Sequence, residues 1–133
     1  MRLADIKVDS NAIETGAWVD NIPDMGNLRL KVRGAGNAAY AAEQAKLLLA
    51  VPRSEKVAGR VNPTTSDRIM AECLAKTTLL DWEGIEGDDG QPLPYSKETA
   101  LTLLSDPAYR VLRDAVLWAS SQVGQNANRP EAA

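Results

Sequence analysis

Six residues, Gly34-Ala-Gly36-Asn-Ala-Ala39, spell the GxGxxA pattern in which a glycine-rich turn brings a dinucleotide's pyrophosphate to a helix N-terminus. The neighbouring sequence does not supply the rest of such a site. A strand leading into that turn is buried on both faces and nearly all apolar, whereas the stretch from Leu28 to Arg33 carries a cation at every second position. No apolar second strand follows to present a ribose-binding acid. Gly34 and Gly36 therefore read as a strand-to-helix turn, where the missing Cβ gives the backbone its freedom.

The acidic run Asp81 to Asp89 raises the question of a hard cation, which needs several oxygen ligands at set positions. If Gly90 took the turn position of a calcium loop, Ile85 and Gly87 would fall at ligand places and Ser96 at the closing carboxylate, so the spacing fails. There is no histidine anywhere, which removes Ser-His-Asp and Cys-His catalysis, the histidine zinc motifs and the side chain best suited to proton transfer near neutral pH. Cys73 is the one cysteine, enough for neither a redox pair nor a disulfide, and it reads as a core residue in a reducing compartment. The sequence thus points to a protein with no catalytic residues, no cofactor and no metal. What remains are aromatic side chains in polar settings, Trp18, Trp82 and Tyr95, which are the candidate partner-binding residues.

The elements that must position these residues are those of an α+β domain, mostly helical, with about four helices and an N-terminal β-hairpin. Residues 1–13 lack a period and are expected to be a flexible arm, 14–123 a single domain, and 124–133 a disordered tail. Gly16 to Arg33 reads as the hairpin, with Leu28, Leu30 and Val32 on the packed face and Arg29, Lys31 and Arg33 toward solvent. Asn37 caps a helix over 38–51 that Pro52 stops, and its stripe of Tyr40, Gln44, Leu47, Leu48 and Val51 is expected to lie on the hairpin. Residues 52–62 form a charged linker. A second helix starts at Asn62 and Pro63, or at Ser66, and runs to about Leu80. The segment 81–96 is a long ordered loop, and two further helices follow the caps at Ser96 and Asp106.

The net charge of −3 conceals a division along the chain. Residues 28–68 hold eight basic and three acidic side chains, and residues 81–106 hold seven acidic and one basic. The two regions could pair within the chain or between copies, and an open hairpin edge would also allow self-association. No apolar run reaches the ~20 residues that span a bilayer, and the first residues are too polar for a signal peptide, so no membrane partner and a cytoplasmic location are expected.

The order of features from Glu14 to Val123 resembles tail assembly chaperones of tailed phages and phage-like elements. It comprises GAWVD before a basic strand, a helix with Asn37 and Tyr40 near its start, and then LLDWEGIEGDDGQPLPYSKETALTLLSDPAYR. The most specific part is Leu79 to Ser96. The resemblance implies a non-enzymatic morphogenesis protein, encoded by a phage or prophage and acting in the host cytoplasm. It would bind the tape-measure protein, keeping it soluble until the tail tube protein polymerises around it. A structural head or tail component of the virion is the alternative reading. A nucleic-acid-binding accessory protein using the basic stretch 29–68 is a further one, disfavoured by the overall charge.

Overall fold

A computed structural model of the chain describes residues 1–125. Its elements are α1 (Leu3–Ile6), α2 (Ser10–Thr15), β1 (Ala17–Val19), β2 (Arg29–Val32), α3 (Ala38–Leu49), β3 (Lys56–Val57), β4 (Arg60–Val61), α4 (Pro63–Cys73), β5 (Leu79–Glu83), α5 (Lys97–Ser105) and α6 (Arg110–Gln122). The fold is α+β and mostly helical, and the four longer helices, α3 to α6, follow the expected caps. Asn37, Asn62 and Ser96 each accept a hydrogen bond from the backbone amide three residues on, and Asp106 caps the short 3₁₀ turn Pro107–Tyr109 that leads into α6.

β1 and β2 form the expected antiparallel hairpin, but β5 adds a third strand on the other side of β2. This corrects two expectations, since the second helix does not reach Leu80 and Trp82 does not lie in a loop. α4 ends at Cys73, and Leu74–Thr78 widen into a π turn in which the Thr77 hydroxyl donates back to the Cys73 carbonyl at 2.6 Å. From Leu79 onward the backbone groups pair with β2 instead of with the helix. The register shifts opposite Lys31 and Val32, where Leu80 is the extra residue. Residues three apart on a regular strand face opposite ways. The bulge lets both Leu79 and Trp82 join Leu30 and Val32 in the core.

α3 also differs from expectation. It packs on α4 and the π turn rather than on the hairpin, with Tyr40 and Leu47 half-buried and Leu48 and Leu49 exposed. The linker 52–62 contains a 3₁₀ turn and the small β3–β4 hairpin, whose Ala58 and Gly59 both take positive φ. Within 1–13, residues 3–6 and 10–13 are helical instead of arm-like. Asp9 donates its amide to the Gly124 carbonyl, and Ile13 lies over Gly34, where an added Cβ would come within 2.7 Å of Ile13 Cγ1. Of the expected tail, Gly124 and Gln125 are described, and 126–133 lie outside the described residues.

Arg33 is the plainest correction. It is half-buried instead of standing free in solvent, because its guanidinium donates to the carbonyls of Glu14 (2.9 Å) and Thr77 (2.6 Å). Its own carbonyl accepts from the Ser120 hydroxyl. Asn37, 1% exposed, caps α3 through Oδ1 and donates through Nδ2 to Gly34 O at 2.8 Å. Replacing Asn37 with Ala should therefore cost about 1–3 kcal/mol of unfolding free energy, a lost cap together with the side-chain bond to Gly34 O, a carbonyl that keeps the Asn37 amide at 3.2 Å. Asn37→Asp should recover only the cap, and urea denaturation of the two variants would separate these contributions.

Candidate interaction site

The three aromatic candidates do not form one surface. Trp18 lies on the outer face of the sheet, half-exposed, with the Arg29 guanidinium 5.0 Å from its ring centroid. Arg29 also pairs with Glu83 at 2.8 Å. Trp82 points the other way and is 4% exposed, donating Nε1–H to the Leu93 carbonyl at 2.8 Å. Tyr95 meets it edge-on, with ring centroids 5.0 Å apart and planes at 87°, and donates its hydroxyl to Leu79 O. Trp82 and Tyr95 thus clamp the loop 84–95 onto β5, and Trp82 has no ring face left for a partner. Burial, with Asp81 adding to it, pushes the Tyr95 hydroxyl above its ordinary pKa, and burial does the same at Tyr40.

The clamp shapes a surface that the aromatic residues alone did not reveal. Leu93 donates its amide to Ile85 O, and these two side chains form one wall of a hollow of about 420 Å³ opposite Leu103, Tyr109 and Leu112. Met25 lines this hollow and also a second, of about 310 Å³, where Val111, Ala115 and Trp118 make a row along α6. Among the described residues the lining charges are Glu86 and Asp88 in the first hollow and Asp24 and Asp114 in the second, and none is Lys or Arg. Tyr109 and Val111 are 48% and 59% exposed. The last helix therefore has an inner stripe, Leu112, Val116 and Ala119, and a second apolar row beside it. From sequence alone the last helix shows one stripe, Tyr109, Leu112, Val116 and Val123, and leaves Val111, Ala115 and Trp118 unassigned although they share the helical spacing.

The remaining motifs resolve into structure. Gly36 has φ +83° in the turn before α3, and Ile13 fills the space over Gly34 that a pyrophosphate would need. Cys73 is fully buried, and burial, assisted by Glu43 and Glu72, raises its thiol pKa and disfavours the thiolate. Among the described residues no three metal-ligating side chains gather at one place, and no helix is long and apolar enough to cross a membrane. Between the basic and acidic regions, the one ion pair among the described residues is Arg29–Glu83. The acids at 86–89 make none.

Together the two hollows form an apolar channel with a carboxylate rim. The chain belongs to the YdaY prophage protein family, whose model matches residues 35–133, about three quarters of the sequence. No curated protein and no solved structure matches it. Membership establishes a prophage protein, the coarser half of what the resemblance implied. The match takes in α3 to α6 and the clamp, and leaves Trp18 outside.

The clamp leads to a pH-dependent expectation. Tyr95 has a raised pKa in the folded state, so its share of stability is complete below about pH 10. It is lost above that, as the unfolded chain gives up its proton first. Tyr95→Phe should cost about 1 kcal/mol near pH 7, from the lost bond to Leu79, and should flatten part of the alkaline decline in urea stability.

Proposed function

We propose that this prophage protein is a non-enzymatic tail morphogenesis factor that binds the tape-measure protein and keeps it soluble until the tail tube assembles around it. The observation that carries the reading is the pair of apolar hollows along α6, joined at Met25 and edged by Asp24, Glu86, Asp88 and Asp114. An amphipathic helix docks by laying its apolar face in such a channel, and a carboxylate edge favours one whose flanks carry Lys or Arg. Sequestering that apolar face from other copies is what holding a long helical protein soluble requires. The resemblance of Leu79–Ser96 to tail assembly chaperones supports the same role, and the prophage family supplies the setting.

Within this reading Trp82 and Tyr95 act indirectly, by holding the loop that forms one wall. Trp18 on the outer sheet face is left for a second contact, such as another copy or the tail tube protein. The basic stretch offers less to nucleic acid than its sequence suggests, because Arg33 is bonded inside the fold and Arg29 and Arg68 face carboxylates.

Co-expression with the tape-measure protein of the same genome should give a soluble complex that survives size exclusion. Reversing Glu86, Asp88 and Asp114 to Lys should weaken that complex about tenfold or more, ~1.4 kcal/mol, while leaving the thermal midpoint of the free protein nearly unchanged. If the tape-measure protein precipitates regardless, the chaperone reading fails. A virion component would then be the better account, and mass spectrometry of particles would detect it.

A further inference from the structure

On another side of α6, a cavity of about 460 Å³ opens between α4, the end of α5 and the 3₁₀ turn. Arg110 and Arg113 line it from one face of α6, three residues apart, and Arg68 lines it from α4. Arg68 is shared with Glu55, 3.6 Å away, and Arg110 donates Nε–H to Pro107 O, while its terminal nitrogens have no partner among the described residues. Arg113 has no hydrogen bond or ion pair among the described residues, and its Nε is closed to solvent. A ligand in the cavity would meet its terminal nitrogens, since Nε itself has no accessible surface.

The same walls carry Asp67 and Asp106, neither within ion-pair distance of Arg110 or Arg113. Two carboxylates beside the guanidiniums disfavour a bare anion, yet they accept hydrogen bonds from ligand hydroxyls. The cavity exceeds what a phosphate alone would fill, and Ala71, Leu104 and Pro107 give it an apolar side. We propose that this cavity binds a hydroxyl-bearing phosphate monoester, its phosphate held by Arg110 and Arg113 and its hydroxyls by Asp67 and Asp106. A planar guanidinium suits this task because it can present two parallel N–H groups to two phosphate oxygens. The site is separate from the acid-rimmed channel, and neither proposal depends on the other.

Calorimetric titration of the full chain with inorganic phosphate, ribose 5-phosphate and adenosine monophosphate, at constant ionic strength, tests the assignment. At least one of the two esters should bind saturably and about tenfold more tightly than inorganic phosphate. Arg110→Gln and Arg113→Gln should each weaken ester binding about tenfold or more, while Arg53→Gln, away from the cavity, should leave it unchanged. Should Arg113→Gln fail to fold by circular dichroism, Arg110→Gln decides alone, since Arg110 is exposed. Absence of saturable binding of both esters up to about 10 mM would overturn the proposal. So would inorganic phosphate binding as tightly as the esters, or an Arg110→Gln variant that binds them undiminished.

Discussion

The turn from Arg33 to Asn37 is the constraint on which the rest of the fold depends, because its polar groups find partners in several different elements. Arg33 N–H donates to Thr78 O at the end of the π turn, Gly34 N–H to Ile13 O in α2, and Ala35 N–H to Ser120 O in α6. The Arg33 guanidinium ties the Glu14 and Thr77 carbonyls together, and Asn37 holds α3 to the turn. Carbonyls at a helix end need such donors, and the half-buried guanidinium of Arg33 is held in place because its N–H groups are so occupied. The junction therefore fixes α2, α3, the end of α4 and α6 relative to β2. It also explains why α4 stops at its π turn, since two of the carbonyls released there are the ones the turn takes up.

The bulge in β5 carries that order from the sheet to the surface. By placing both Leu79 and Trp82 on the inner face, it brings the indole within reach of Leu93 O, and Tyr95 returns to Leu79 O on the same strand. A loop with two aromatic anchors loses much of the freedom its length would otherwise allow. Ile85 and Leu93 are then held opposite α6 as one wall of the channel. The link from sequence to surface thus runs through residues that do not line the channel themselves. A change at Trp82 would act on the channel by releasing its wall, a different event from removing a lining side chain.

How much of this the sequence could show follows from the range of each signal. The caps at Asn37, Asn62, Ser96 and Asp106 are local, set by a side chain and an amide two or three residues away, and they were legible. So was the hairpin, through the alternation of Leu28 to Arg33. β5 was not, because its bulge breaks the period-two pattern and its pairing partner is some fifty residues distant. Arg33 looked like a solvent cation because alternation assigns a face and says nothing of the carbonyls waiting there. The aromatic candidates were chosen by type, which identified the clamp, but the channel it shapes also needs Met25 from the β1–β2 connection and the second row of α6. Only the fold brings those together.

The two surfaces along α6 give a physical reading of the chain's charge. Summed over the sequence the balance is only −3, yet α6 and its neighbours sort the charges, with Asp114 beside Val111 and Trp118 on one side and Arg110 and Arg113 on the other. Separated charge of this kind costs little in water, where screening acts over about 8–10 Å, and it gives each face its own selectivity. A cationic amphipathic helix is attracted to the channel and repelled by the guanidinium cavity. The cavity, with Asp67 and Asp106 beside its three guanidiniums, has a mixed lining with a net positive balance instead. The inner stripe of α6, packed against the sheet, holds both faces at fixed separation, so one helix anchored by its buried side can present two chemically opposite surfaces without either disturbing the core.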